Sequence, residues 1–364
     1  MAKLVFTVTN DLSYDQRMQR ICSSLAANGY NVLLVGRKRA KSAELPPQIF
    51  QQRRLNCWFE KGPLFYIEYN TRLFFFLMSV KTDVICAIDL DTILPCFFVS
   101  ILRQKKRVYD AHELFTELKE IITRPGVLKM WMMIEKFTVP KFRNGYTVNQ
   151  SLADELYRRY GVKYEVLRNI PRKLTDSSRQ PTADKFIIYQ GAVNEGRSFE
   201  TLIPAMQQVY GKLIVCGEGN FFNQTKALVK YYGVEKKVET RGYVPPEELK
   251  SITPKARAAV MIFEPTGMNQ YHSLSNRFFD YIMAGVPQVC VNYPEYKRIN
   301  DRYKIALMID DVKPETIAKA LNRLLGEDDL HSQLHQNCLK AAEELNWENE
   351  EAKLLEFYKM LLKE

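Results

Sequence analysis

Short apolar runs alternate with amphipathic stretches along nearly the whole chain. Leu4–Val8 is a mostly apolar run of strand length. The stretch Tyr14–Asn28 then carries Met18, Ile21, Cys22 and Leu25 at helical spacing, and Gly29 follows as a helix-closing glycine. Val32–Val35 reads as the next buried strand, so the chain opens with a βαβ unit, the building block of parallel sheets. Further strands are predicted at Val84–Ile88, Arg107–Asp110, Tyr146–Val148 and Tyr164–Leu167. A polar stretch, Arg172–Asp184, contains Ser177, Ser178 and Pro181 without apolar periodicity and reads as a linker over 173–184. A second alternation follows, with strands at Phe186–Tyr189, Leu213–Cys216, Val238–Arg241, Ala259–Phe263, Gln288–Val291 and Ala306–Ile309. Strands this apolar belong to sheets covered on both faces. The pattern therefore predicts an α/β protein of two Rossmann-like domains facing a cleft, residues 1–172 and 185–347. The last helix, about 348–364, is expected to cross back to the first domain.

Composition adds room and charge. The chain has 364 residues, 46% of them hydrophobic, enough for two cores of ordinary domain size. Its net charge of +10 is lopsided. Residues 1–172 hold 27 Lys+Arg against 16 Asp+Glu, while the remainder hold 25 against 26. A basic half points to an anionic partner, nucleic acid or an acidic membrane, or else to a merely solvated basic face. The stretches Arg72–Lys81 and Arg103–Arg107, the latter near Phe97 and Phe98, mix basic and aromatic residues as a membrane surface requires. Phe74–Met78 reads equally well as core helix. The seven scattered cysteines form no C-x-x-C and fit a reducing compartment. With a strand predicted at the very start, no signal peptide is expected. The expectation is a cytoplasmic protein, peripheral on the inner face of the cell membrane.

Three segments carry candidate chemistry. Tyr189–Arg197 joins a strand to the helix Phe199–Tyr210, with Gly191 and Gly196 for close backbone approach. A helix N-terminus there, with Arg197 at its edge, makes an anion site. An ordinary βα turn would look much the same. Gly217-Glu218-Gly219 ends a strand, where ligands sit in doubly wound sheets. The third segment is Ser273–Pro287. Ser275 is the predicted N-cap, Phe278, Phe279, Ile282 and Met283 face inward, and Gly285 and Pro287 end the helix. Asn276 and Arg277 occupy a first turn that suits a phosphate, and Asp280 can accept from a ribose diol. An Arg277–Asp280 ion pair on a surface helix is the plainer alternative. His331 and His335 lack a third ligand and read as surface residues. Asp89 and Asp91 offer a metal or base pair, with Asp91 better placed as a helix cap.

Phe279-Asp280-Tyr281-Ile282-Met283-Ala284-Gly285-Val286-Pro287 resembles the donor-site helix of retaining glycosyltransferases of the GT-B fold, family four. The resemblance implies that Asp280 stands for the ribose-binding glutamate, and that His272 replaces the family's sugar-contacting glutamate. It likewise implies that Gly191–Arg197 is the diphosphate loop, with Arg197 its basic residue. Arg241-Gly242-Tyr243-Val244 resembles the segment facing the nucleobase. In the N-terminal half, Tyr109-Asp110-Ala111-His112-Glu113 resembles the family's Tyr-Asp-x-His-Glu segment, which puts His112 near the transferred sugar. Asn169-Ile170-Pro171 matches the Asn-x-Pro that closes the first domain. The first loop, Thr9–Ser13, lacks the family's frequent glycine pair.

The resemblance thus implies transfer of a sugar, with retention, from a UDP- or GDP-linked donor to a glycan or lipid-linked acceptor in polysaccharide or glycoconjugate biosynthesis. Catalytic candidates are His112 and Arg197. Donor-side candidates are Gly191, Gly217, Arg241, Val244, His272, Ser275, Asn276, Arg277 and Asp280. Acceptor-side candidates are Asn10, Asp11, Asp110 and Glu113. Arg197 and the amides at Ser275 and Asn276 are expected to hold the diphosphate, so no metal or other cofactor is expected. A hexosamine-2-epimerase-like enzyme of the same fold and a non-enzymatic basic binding protein are the alternatives. No nucleic-acid motif is present, and no G-x-G-x-x-G follows the first strand as a dehydrogenase would require.

Overall fold

The computed structural model describes residues 1–13, 15–173, 185–264 and 267–363. The predicted linker therefore lies, but for residue 173, outside the described residues. The chain divides into two compact units, residues 1–169 with 350–364, and residues 170–349.

Unit 1 is a seven-stranded sheet in the order β3-β2-β1-β4-β5-β6-β7. Its strands are β1 (Lys3–Thr7), β2 (Asn31–Lys38), β3 (Gln51–Asn56), β4 (Val84–Ile88), β5 (Lys106–Ala111), β6 (Asn144–Thr147) and β7 (Glu165–Val166), all paired in parallel. The first helix, α1 (Gln16–Ala27), is capped by Asp15, whose carboxylate accepts from the Met18 amide at 3.0 Å. Then come α2 (Gly62–Ser79), α3 (Ile93–Leu102), α4 (Lys119–Ile122), α5 (Pro125–Thr138) and α6 (Gln150–Tyr160). Helices α2, α3 and α5 contribute to one core over the sheet, built from residues such as Tyr69, Leu73, Ile93, Phe97 and Trp131.

Unit 2 repeats the plan with six parallel strands in the order β10-β9-β8-β11-β12-β13. These are β8 (Phe186–Gln190), β9 (Lys212–Cys216), β10 (Val238–Gly242), β11 (Ala258–Met261), β12 (Gln288–Val291) and β13 (Ala306–Ile309). Its helices are α7 (Phe199–Ala205), α8 (Phe222–Tyr231), α9 (Pro246–Ile252), α10 (Met268–Tyr271), α11 (Asn276–Met283), α12 (Pro294–Tyr303), α13 (Pro314–Gly326) and α14 (Asp328–Glu344). The chain then runs through α15 (Trp347–Lys363), which returns to unit 1. There Tyr358 packs 6.0 Å from the Phe6 ring and meets the Tyr146 hydroxyl at 3.3 Å.

Two expectations change. The helix predicted over Phe199–Tyr210 stops at Ala205 because Pro204 lacks the amide that would continue the ladder. The strand β3 gave no apolar signal: Gln51-Gln52-Arg53-Arg54 sits at the sheet edge, paired only with β2, where polar residues stay solvated.

Candidate functional site

In unit 2 the strand order reverses between β8 and β11, the place where doubly wound sheets bind ligands outside their carboxyl ends. The loop after β8 is stitched to its neighbours. The Gly191 amide donates to Cys216 O at 2.9 Å, and the Gly217 amide donates to Gly242 O at 2.7 Å. Gly217 has a φ of +155°, and a Cβ there would lie 1.8 Å from Gly191 O. Only glycine permits this approach of two strand-end loops.

Arg277 lies in the first turn of α11 and is buried. It does not form the surface pair with Asp280 that the sequence allowed. Its Nε donates to Met261 Sδ at 3.2 Å, and its guanidinium sits 4.5 Å from the centre of the Tyr189 ring. Its Nη2 is buried without a hydrogen-bond partner. Arg197 is half-buried, with its guanidinium 5.9 Å from the Phe263 ring centre. Burial, and then the charge of Arg277, push Arg197 down from the usual guanidinium range. Two cations thus crowd one strand-end pocket, and neither forms an ion pair there among the described residues.

Ser275 is the N-cap residue, as expected, but its hydroxyl makes no capping bond. Its amide donates to the Tyr296 hydroxyl at 2.9 Å, which removes it from the expected diphosphate contacts. The amides of Asn276 and Arg277 are first-turn donors with no helical acceptor. Asp280 accepts from Gln190 Nε2 at 3.0 Å, and Gln190 Oε1 accepts from Thr253 at 2.6 Å. Gln190 was not expected as a site residue, since glutamine at a strand end carries no distinctive signal. Val244 packs its side chain among Ile188, Ile214 and Cys216. Arg241 is exposed and pairs with Glu239 at 2.7 Å. His272 follows α10 with its ring 5.2 Å from that of Tyr271. His331 is not the surface residue expected, and His335 is half-buried. His331 is buried, with burial first among the causes that push it down to about 4. His335 Nδ1 lies 2.5 Å from Gly285 O, bracing the end of α11.

The unit 1 site is built on paired charges. Asp110, at the end of β5, is buried and salt-bridged to Arg17 of α1 at 2.9 Å. Burial opposes its charge, but Arg17 and then His112 hold it below the usual carboxylate range. His112 Nε2 lies 3.0 Å from Asp110 Oδ2 and 3.0 Å from Arg17 Nε, and its Nδ1 lies 3.4 Å from Asp89 Oδ2. A neutral ring accepts from Arg17; a charged ring donates to Asp110. Burial works against the charged ring, yet Asp110 and Asp89 outweigh it and hold His112 up at about 9. Burial also raises Asp89 to about 7 against the pull of His112. Asp91 is likewise raised to about 7, by burial and by Asp89. Asp91 is not the helix cap expected: it lies within a single 3₁₀ turn, Leu90–Thr92, and accepts from the Thr9 hydroxyl. Glu113, half-buried, adds charge that raises Asp89.

Asn10 and Asp11 are drawn into the first loop instead. Asn10 bonds Asp15 at 2.7 Å, and the two Asp11 carboxylate oxygens accept from the Ser13 amide and the Ser42 hydroxyl, both at 3.2 Å. Arg17 was missed because a basic residue amid Met18, Ile21 and Cys22 looks like the polar face of a helix until the fold turns it inward. Among the described residues, no group of three or more His, Cys, Asp or Glu is arranged to hold a metal ion.

Known proteins share this plan. A family model described as glycosyl transferases group 1 matches residues 172–343. A D-inositol 3-phosphate glycosyltransferase from Corynebacterium urealyticum is 25% identical over 166 residues, which is 44% of this chain and 38% of that protein. A glycosyltransferase from Rickettsia africae superposes with a TM-score of 0.79 at 11% identity, covering 100% of this chain and 99% of the other. Anabaena HepE in complex with UDP-glucose superposes with a TM-score of 0.76 at 10% identity, covering 99% and 100%. The fold is GT-B, and the segment 172–343, which matches the glycosyl transferases group 1 model, carries Arg197, Arg277 and Asp280.

Proposed function

We propose that the protein transfers a glycosyl group from a nucleoside diphosphate sugar to an acceptor hydroxyl, with retention at the anomeric carbon. The observation that carries this reading is Arg277 Nη2, buried and unpartnered beside Arg197 at the carboxyl ends of β8 and β11. A buried guanidinium without an acid costs stability unless a ligand anion completes it. A diphosphate is the anion that the paired cations and the first-turn amides of α11 suit. Asp280, steadied by Gln190, is assigned to the ribose hydroxyls. The HepE complex with UDP-glucose supports a uridine-linked donor.

In the reaction, the bond between the anomeric carbon and the diphosphate oxygen breaks and the acceptor oxygen bonds to that carbon. Negative charge gathers on the leaving diphosphate, where Arg197 and Arg277 stabilise it without a metal ion. The acceptor proton passes to the departing phosphate oxygen. Unit 1 is assigned to the acceptor and the transferred sugar, with His112 fixed by Asp110 and Asp89. The acceptor is a glycan or lipid-linked sugar, in polysaccharide or glycoconjugate biosynthesis.

Calorimetric titration with UDP, GDP, ADP and UMP tests the donor site. One diphosphate should bind more than about tenfold tighter than its monophosphate. Equal binding of UDP and UMP, with none for the other diphosphates, would remove the assignment of Arg277. Conversion of a UDP-hexosamine to its epimer without any acceptor would favour the epimerase-like reading, which the Asp89–Asp91 carboxyls could serve.

A further inference from the structure

Three neighbouring helices of unit 1 carry more apolar surface than their sheet covers. α2 bears two apolar stripes. Phe65, Tyr69, Leu73 and Leu77 recur every four residues and are buried in the core. Leu64, Ile67, Phe75 and Met78 follow a second helical stripe and are exposed, Phe75 at 67%. A helix apolar on both sides has a second apolar neighbour to satisfy. α3 has no charged residue over Ile93–Leu102; it buries Ile93, Cys96 and Phe97 and exposes Phe98, Ile101 and Leu102, the last at 63%. α5 exposes Met133 at 60% and Phe137. The surfaces adjoin, since α3 packs against both α2 and α5 and the rings of Phe98 and Phe137 lie 6.5 Å apart. Scattered exposed apolar residues are ordinary; a contiguous set across three helices marks an interaction surface.

The charge around this face narrows the occupant. Residues 62–82, 93–107 and 121–145 hold 11 Lys+Arg and two acids. Both acids are engaged. Glu68 accepts from the Trp58 and Phe59 amides and from Arg72, while Glu135 is buried and accepts from Thr116 and Tyr160. Lys141 sits 3.9 Å from the Phe137 ring centre, so cation and apolar surface interleave. A second copy of this chain would bring the same surplus of positive charge to a symmetric contact and be repelled.

We infer that this face of unit 1 docks on an anionic membrane. Phe75, Met78, Phe98, Leu102, Met133 and Phe137 enter the headgroup boundary, and the surrounding lysines and arginines meet lipid phosphates. Attachment is peripheral through this face: among the described residues no helix is long and apolar enough to cross a membrane. The inference does not depend on the donor assignment.

Co-sedimentation of the full chain with vesicles tests it. The protein should pellet at low salt with phosphatidylcholine–phosphatidylglycerol vesicles and not with phosphatidylcholine alone, and high salt should release it. The triple variant F75S/L102S/M133S should bind more than about tenfold more weakly, and so should K105E/K141E, with melting temperature and UDP affinity unchanged. Met133→Trp provides a check that needs no destabilised variant: its fluorescence should shift blue with phosphatidylglycerol vesicles and be quenched by brominated lipid. No sedimentation at low salt, wild-type binding by the triple variant, or an unshifted Met133→Trp spectrum would each overturn the inference. So would a monomer–dimer equilibrium abolished by F75S/L102S/M133S without vesicle binding, which would make the face a self-association surface.

Discussion

Arg17 and Arg277 are both buried arginines at the second position of a helix, α1 in unit 1 and α11 in unit 2. Arg17 is fully engaged. It meets Asp110 through Nη2 at 2.9 Å and Nε at 3.3 Å, and its Nη1 donates to Leu167 O at 3.0 Å. Arg277 has an aromatic face, a thioether and one orphaned nitrogen. The same residue type in the same helical position thus serves the fold in one unit and, on the proposed reading, a ligand in the other. Burial alone does not tell these roles apart; the presence of an acid partner does.

The largest expected effect separates the two on stability. Arg17→Met leaves the buried Asp110 with His112 in place of two charged partners and should cost about 3–5 kcal/mol in urea unfolding. Arg277→Met removes an uncompensated charge and should leave stability unchanged or slightly higher. Equal losses would erase the contrast. On turnover the order reverses: Arg277→Met should lower kcat/KM by about 100- to 1000-fold, or about 3–4 kcal/mol of transition-state stabilisation. Full activity in that variant would mean that the diphosphate is held elsewhere. UDP at a hundredfold excess over its Kd should add about 2.7 kcal/mol to wild-type stability, read as a rise in melting temperature, and almost nothing to Arg277→Met.

A smaller effect follows pH. His112 is held at about 9, above its ordinary 6.5, so the folded state keeps a proton that the unfolded chain releases. That stability is fully present below 6.5 and is lost as pH rises through 9. Asp89 and Asp91, raised from 3.8 to about 7, stabilise the fold in their protonated forms, and that stability is fully present below 3.8 and is lost as pH rises through 7. The span from 7 to 9 is therefore where His112 contributes most. Unfolding free energy should fall there by about 2 kcal/mol more than Asp89 and Asp91 alone would give, and the fall should be clearly smaller in His112→Asn. The smallest effect tests the support of Asp280. Gln190→Leu should raise the donor KM about fivefold, about 1 kcal/mol, with kcat within a factor of two. An unchanged KM would show that Asp280 does not need Gln190.

Twelve of the thirteen described strands were legible, most of them because a strand buried on both faces must be apolar and such a run is visible in one dimension; the more polar β7 and β10 were placed by the rhythm of the alternation around them. The edge strand β3 was not, because an edge permits Gln51, Gln52, Arg53 and Arg54. Arg277, Asp280, His112 and Asp110 could be picked out by their place in short motifs at strand and helix ends. Their partners could not. Arg17 lies 93 residues from Asp110, and Gln190 lies 90 residues from Asp280. No local pattern encodes such pairs.

By itself, then, the sequence determined the alternation of strands and helices, the two-unit plan and the segments that carry candidate chemistry. These follow from periodicity, glycine and capping, all local properties of the chain. Tertiary structure decided which charges are paired. It turned Arg17 onto Asp110, left Arg277 without an acid and took the Ser275 amide for Tyr296. It also decided that one stripe of α2 faces the core and the other faces out. The physical reason is common to all of these outcomes. Desolvation and pairing depend on what packs against a residue from a distant part of the chain, and only the assembled fold specifies that neighbour.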